Sequence, residues 1–378
     1  MATAQETATK MARERILESL RKAGKAPVSN ASGDTDGFEH VIVTEELFLD
    51  QDTNGKAGRI MYSDMFIGAD AYLKATGKPD IDMSTLVHKP EDWDEEDRVF
   101  IPKLDEFYVW QHDVTYPAVL GLLGKLKVLF VGPTGSGKTT FHENMAAKLC
   151  QPFYLLGGRG DLESDFILGR QTITEGTMQF VLGEFTKALV KEYYILMDEI
   201  WKVPSSINMA FQRLLQRNGF LQIDDADGNL CDKQFFPGPR SIIQLADNVV
   251  GTGDGAAMYG ATQIQDGSTL NRVDLILRVD YLPQADEVTM LMARYSEFLP
   301  ESVAKKAVQV ANKIRAGFEQ GELSAGMSPR NLFAWMELAQ KVRNYEEAFK
   351  WVMLNRFADD AEKGAVRGFY ELAFAKTV

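Results

Sequence analysis

Gly132-Pro133-Thr134-Gly135-Ser136-Gly137-Lys138-Thr139 decides how this chain is read. The stretch follows a short apolar run, Leu126 to Val131, of the kind a buried strand makes, and it spells a phosphate-binding loop of the G-x-x-x-x-G-K-[ST] type. The glycines free the backbone to curl, so that successive N–H groups face one anion, and the helix that must follow adds the positive end of its dipole. Lys138 is placed to reach β- and γ-phosphates, Thr139 to ligate Mg²⁺, and Thr140 continues the first helical turn beneath the phosphates. The sequence therefore predicts a nucleoside triphosphate site.

Working outward, the composition is that of an ordinary soluble globular chain. Its 378 residues are 45% hydrophobic and 25% charged, with room for about two or three domains. A net charge of −13 repels a phosphate backbone unless basic residues gather on one surface. Nucleic acid is therefore not favoured as a partner, and a protein is. Cys150 and Cys231 match no metal-ligand spacing; Cys150 falls in the helix after the loop, where burial is expected, and a reducing cytoplasm fits both. No apolar stretch reaches transmembrane length, and the N-terminus is polar and helical, without a secretory signal, so no membrane role is expected.

Residues 1–38 read as a helix followed by a flexible linker. Met11, Ile16, Leu17 and Leu20 put one apolar stripe on Ala4 to Lys22, and Pro27 to Gly37 is rich in Ser, Asn, Asp and Gly. Residues 39–99 are mixed and acidic, with no repeat and no assignable module. Within them Asp50-Gln51-Asp52-Thr53-Asn54-Gly55 copies the first half of an EF-hand loop, but position twelve, which needs a bidentate carboxylate, is Met61. A solvated turn at Asn54-Gly55 is the expectation there, not calcium.

From Phe100 strands and helices alternate. Strands are expected at Leu126–Val131, Phe153–Leu156, Tyr193–Met197, Ser241–Ala246 and Leu275–Val279, with Phe141, Met145 and Leu149 marking a helix packed on the sheet. This predicts an α/β fold: a parallel sheet covered on both faces, in three layers, over residues 100–282. After Tyr281-Leu282-Pro283 only helical patterns remain, which predicts a helical domain over 283–378. The third strand ends in Asp198-Glu199. An aspartate there can hold Mg²⁺ while the adjacent glutamate polarises the water that attacks the γ-phosphate. The fourth ends at Asp247-Asn248, where Asn248 can touch both that water and the γ-phosphate.

The order of these motifs carries a resemblance. Phosphate loop, Asp-Glu, strand-end Asn248, a segment Gly251-Thr252-Gly253-Asp254 leading to Tyr259-Gly260, then Asn271-Arg272 and Asp280-Tyr281-Leu282-Pro283 resemble AAA+ ATPases of the MoxR branch. The likeness is nearest to cobaltochelatase CobS subunits and their phage-encoded relatives, with the CbbQ and NorQ activators nearby. It covers roughly Ile101 to Leu338 and implies ATP with Mg²⁺ as the ligands, a P-loop AAA+ core with a C-terminal helical lid, and an N-terminal extension. It also implies a first sensor at Asn248, an arginine finger at Arg272 acting on the neighbouring subunit, and a second sensor at Arg330 within Ser328-Pro329-Arg330. A trans-acting arginine requires a homo-oligomer, in this branch a hexameric ring.

Two hairpins are expected outside the sheet, one over Gln171–Phe180 and one over Leu221–Phe236 turning at Asp227-Gly228-Asn229. The resemblance implies that the first faces the ring's central channel. It further implies ATP-driven remodelling or activation of a partner, typically a von Willebrand A-domain protein. A chelatase motor subunit and a phage nucleic-acid-associated motor are the other two classes open to this sequence. The chain departs from its relatives at Asn271, where most carry Asp, and over residues 1–100, which do not resemble the CobS N-terminus. The segment Gly157-Gly158-Arg159-Gly160 offers no polar partner to hold Glu199 inactive.

Overall fold

The computed structural model describes residues 59–174, 176–249 and 270–375. The expected helix at 4–22, the linker at 27–37, the Asp50–Gly55 fragment and the Gly251–Gly260 segment lie outside the described residues.

The apolar run before the phosphate loop forms β1 (Val128–Val131), buried at every position. It is an inner strand of a parallel sheet made with β2 (Phe153–Gly157), β5 (Tyr194–Asp198), β8 (Ile242–Asp247) and β9 (Leu275–Arg278). The strand order is β2-β5-β8-β1-β9, and every pairing is parallel. All five predicted strands are present, with ends shifted by a residue or two. Between them β3 (Gly169–Thr174) pairs antiparallel with β4 (Thr177–Leu182), and β6 (Leu221–Gln222) with β7 (Gln234–Phe235).

Strand periodicity sorts the side chains of β1 onto two cores. Val128 and Phe130 join α2 (His112–Leu123) and α3 (Lys138–Leu149), whereas Leu129 and Val131 join α4 (Glu184–Val190) and α5 (Ser205–Leu214). Because both faces are covered, the strands read as continuous apolar runs and not as alternating ones. These are the three layers predicted for an α/β fold.

The first core also takes in part of the stretch that the sequence sets apart as 39–99. Tyr62, Phe66, Ile81, Met83 and Leu73 of α1 (Ala69–Thr76) are buried with the helices of that face. Tyr62 Oη and His112 Nδ1 are 2.8 Å apart, and Trp93 Nε1 donates to Cys150 O at 2.7 Å. Cys150 is buried as expected, but it ends α3 in the left-handed region (φ 52°) instead of lying within the helix.

Beyond Pro283 the chain is helical: α6 (Gln284–Tyr295), α7 (Glu301–Glu319), α8 (Pro329–Val342), α9 (Tyr345–Val352) and α10 (Asp360–Phe374). They enclose a core of their own around Trp335, Phe349 and Tyr370. Each such burial stabilises the bundle by about 1.5–3 kcal/mol. Helix α8 starts where its sequence dictates, with Ser328 accepting from Asn331 N as N-cap and Pro329 in the first turn.

Candidate nucleotide site

Register sets the carboxyl ends of the central strands level with one another. Val131 lies opposite Asp247, Asp198 opposite Ala246, and Gly157 opposite Asp198. Crevices outside such ends are where parallel α/β sheets bind ligands. The phosphate loop leaves β1 here. Gly135 (φ 78°) and Gly137 (φ 96°) adopt the left-handed region, and a Cβ on Gly132 would stand 2.0 Å from Val279 O. Lys138 is 6% exposed, and its Nζ donates to Gly132 O at 2.7 Å, Pro133 O at 3.0 Å and Asn248 Oδ1 at 3.0 Å. Burial lowers the pKa of this ammonium, against the carboxylates of Asp198, Asp247 and Glu199. Ser136 Oγ is buried with no hydrogen-bond partner among the described residues. An orphaned hydroxyl inside a ring of loop N–H groups suits an anion with several acceptor oxygens.

Thr139 Oγ1 donates to Asp198 Oδ2 at 2.7 Å, so the two oxygens expected to hold Mg²⁺ are neighbours. Hard oxygen donors of this kind fit that ion. Glu199 follows in the left-handed region (φ 53°, ψ 42°), which swings it off the strand. Its backbone rests on Gly158, where a Cβ would stand 2.0 Å from Glu199 O. The expectation that Glu199 lacks a restraining polar partner needs correcting. The 3₁₀ turn Ile200–Lys202 brings Lys202 Nζ to 2.8 Å from Glu199 Oε1, so the partner comes from downstream and not from the 157–160 segment.

Asp247 is a positioning residue that sequence reasoning did not single out. Its carboxylate accepts from Asn248 N at 2.7 Å, Trp201 N at 3.1 Å and Val249 N at 3.4 Å, and burial raises its pKa against those three bonds. It thereby ties the turn after Glu199 to the turn carrying Asn248. The available signal was one acid closing an apolar strand next to a predicted site residue.

The opposite wall of the cleft, about 410 Å³ in volume, includes Tyr108, Gln111, Leu282, Met290, Arg294 and Arg330. Arg330 sits in the first turn of α8, and its charge opposes the burial that raises the Glu143 carboxyl. Arg294 pairs with Asp105 and lies over the Phe333 ring, 4.6 Å from its centroid. Arg272 is placed elsewhere. It is partly exposed in the turn before β9, whose first residue, Leu275, pairs with Val128 at the amino end of β1. A four-residue strand spans on the order of 10 Å, so Arg272 stands at the far end of the sheet from Lys138. Lys138, Thr139, Asp198, Glu199, Asn248 and Arg330 thus line one cleft that Arg272 does not reach.

The first hairpin extends past both predicted ends, to Gly169 and Leu182. Near its tip Ile173 and Met178 are 72% and 65% exposed. The second is shorter, a two-pair ladder with Gly228 at φ 94° in its turn. Asp227 joins the two, accepting from Gln171 Nε2 at 3.0 Å and Phe180 N at 2.8 Å, bonds that hold its carboxyl below the usual carboxylate range. Among the described residues no helix is long and apolar enough to cross a membrane.

Residues 127–258 match the AAA domain family, dynein-related subfamily, and residues 288–368 match the CbbQ/NirQ/NorQ C-terminal family. The aerobic cobaltochelatase subunit CobS of a Sinorhizobium species is 27% identical over 282 residues, 73% of this chain and 83% of that one. Protein NorQ of Paracoccus denitrificans is 27% identical over 276 residues, 71% of this chain and 93% of that one. The RuvB Holliday junction branch migration motor of Thermotoga maritima superposes with a TM-score of 0.41 at 15% identity, over 70% of this chain and 75% of that one.

Proposed function

The chain belongs to the MoxR-type AAA+ ATPases close to CobS, CbbQ and NorQ, and from that premise we propose that it is a ring-forming motor that hydrolyses ATP with Mg²⁺ to remodel or activate a partner protein. The observation that carries this reading is the separation of Arg272 from its own cleft. A guanidinium so placed serves the cleft of the next subunit, and each site is completed only by a neighbour.

Within the cleft Lys138 and the loop N–H groups hold the β- and γ-phosphates, and the Ser136 hydroxyl donates to a phosphate oxygen. Thr139 and Asp198 would hold Mg²⁺, which supplies charge neutralisation for the transferring phosphoryl group. Glu199 leaves Lys202 and polarises the attacking water, while Asn248, fixed through Asp247, contacts the water and the γ-phosphate. Arg330 brings the lid's positive charge to the same phosphate.

The proposed assembly is a hexamer in the cytoplasm, and the proposed partner is a von Willebrand A-domain protein. The exposed apolar tip of the β3–β4 hairpin, at Ile173 and Met178, supports a protein client in the central channel over a nucleic acid, as does the net charge of −13. Subunit mixing tests the reading. Glu199→Gln and Arg272→Ala are each expected to bind ATP and fail to turn it over, and mixing Arg272→Ala with Lys138→Ala is expected to restore part of the activity in a phosphate-release assay. Full activity of Arg272→Ala, or of a protein that stays monomeric with ATP in analytical ultracentrifugation, would refute it.

A further inference from the structure

The lid buries one charge pair in its middle. Glu287 on α6 and Arg315 on α7 have side chains 0% and 5% exposed. Arg315 Nη1 donates to Glu287 Oε2 at 2.8 Å and to Asn312 Oδ1 at 2.9 Å, and Nη2 donates to Glu287 Oε1 at 2.7 Å. Buried pairs of this kind rarely stabilise a fold more than apolar side chains of the same volume would, because desolvating each charge costs several kcal/mol. Stability alone therefore gives no reason for this one.

Its remaining contacts give a reason. Arg315 Nε donates to Met327 O at 2.7 Å, and the guanidinium lies over the Tyr281 ring, 4.2 Å from its centroid. Both contacts lead to the phosphate loop. Tyr281 Oη donates to Thr134 O at 3.0 Å. Met327 precedes Ser328, which packs so closely on the loop that a Cβ on Gly135 would stand 2.4 Å from Ser328 Cβ. Two residues on from Ser328, Arg330 lines the cleft. One guanidinium thus contacts two segments that meet the apex of the loop, Tyr281 before the lid and Met327-Ser328 within it.

We infer that Arg315 is a positioning residue that ties the state of the phosphate loop to the placement of Arg330, so that the site distinguishes ATP from ADP. The inference rests on the reading of Arg330 as a γ-phosphate contact. Movement of Thr134 and Gly135 when the loop fills is felt at Tyr281 and Ser328, and the rigid planar fork carries it to the start of α8. An ammonium has no such fork and cannot hold carboxylate, carbonyl and ring together.

The test uses the full chain with Mg²⁺ and compares the paired replacement Glu287→Met with Arg315→Met, the single Arg315→Lys, and Arg330→Ala. The paired variant leaves no unpaired buried charge, so its melting temperature is expected to stay close to that of the unaltered chain. Its affinity for ADP is expected to remain within about threefold, while its preference for a non-hydrolysable ATP analogue over ADP falls by roughly tenfold, towards the value of Arg330→Ala. Arg315→Lys is expected not to rescue that preference. If the paired variant keeps the full preference and turnover while Arg330→Ala loses them, Arg315 is only structural and the inference is overturned, with the site reading intact. If Arg330→Ala itself keeps the preference, the site reading and the inference fall together. Should the paired variant fail to fold, Tyr281→Phe decides, because it removes one hydroxyl and nothing else; an unchanged preference there also overturns the inference.

Discussion

The two ends of the parallel sheet are built differently. At the carboxyl ends the side chains that line the cleft are held in place: Lys138 by three oxygens, Thr139 by Asp198, and Asn248 through the buried carboxylate of Asp247, with the Ser136 hydroxyl left for a ligand. At the amino end of β9, Arg272 sits partly exposed in a turn, outside the cleft. An end with preorganised donors and acceptors is suited to binding, whereas an arginine presented at the opposite end is suited to a neighbour's substrate. On the proposed reading, the difference teaches that one sheet separates holding a nucleotide from completing its hydrolysis.

The largest expected effects would break this comparison if they coincided. Lys138→Ala is expected to weaken ATP binding by about 100-fold or more, because on the proposed reading the lysine contacts phosphate in the ground state as well as in the transition state. Arg272→Ala is expected to bind ATP within a few-fold of the unaltered chain and to lose about 10³-fold in turnover. Calorimetric titration and phosphate release on both variants check the pair. Equal loss of binding in the two would mean that both ends serve the same step.

Much of the carboxyl end was legible in the sequence, and the reason is local. A four-residue buried strand followed by a glycine loop, and an apolar strand closed by Asp198-Glu199, carry their meaning in consecutive residues. The α/β alternation and the helical lid were legible for the same reason. What was not legible depends on tertiary packing. Lys202 meets Glu199 only because a left-handed residue precedes a 3₁₀ turn, and Tyr281 meets Thr134 only because the segment after β9 runs back beside the loop. Residues 59–98 gave no pattern because their helices are short and their core positions, such as Tyr62, Phe66 and Met83, are scattered. The Asp227 clamp between the hairpins belongs with these, since its partners Gln171 and Phe180 lie far away in the chain.

Gly158→Ala sharpens the comparison by acting on the carboxyl end without touching a phosphate contact. The added Cβ would stand 2.0 Å from Glu199 O, and backbone is not a flexible neighbour, so the turn carrying Glu199 must shift. If Glu199 is the base for the attacking water, as proposed, misplacing it is expected to leave binding intact and to lower turnover by roughly tenfold to 100-fold. Steady-state kinetics with a separate binding titration check this. A rise in KM with turnover unchanged would place Gly158 in nucleotide binding instead.

Acid is expected to act on the helix beneath the loop. His142 on α3 is fully buried between Phe130 and Tyr194, with Nδ1 2.7 Å from Tyr194 Oη, and burial depresses its pKa to about 3. The folded value lies below the unfolded one, so the unfolded chain takes up the proton first. Its contribution to stability is fully present above about pH 6.5 and is lost as pH falls towards about 3. His88 and His112 are shifted in the same direction by burial. His142→Gln is therefore expected to flatten, without abolishing, the fall in melting temperature between about pH 7 and pH 5. Parallel profiles for the two proteins would remove His142 as the cause.

The smallest effect is expected away from both ends of the sheet. Asp227 accepts from Gln171 Nε2 and Phe180 N, so its carboxylate, alongside the Asp225 carbonyl that accepts from Gln171 Nε2 at 2.7 Å, holds the first hairpin to the second. These bonds are exposed to solvent, so their loss is expected to leave global stability almost unchanged. Asp227→Asn keeps an acceptor oxygen and the size of the side chain, whereas Asp227→Ala removes both contacts. The alanine variant is expected to bind and hydrolyse ATP as the unaltered chain does, and to be cleaved several-fold faster between β3 and β4 in limited proteolysis. The asparagine variant is expected to fall between them. If Asp227→Ala instead lowered basal turnover as far as Gly158→Ala does, the hairpins would be coupled to Glu199, and the rate of hydrolysis would depend on a region away from both ends of the sheet.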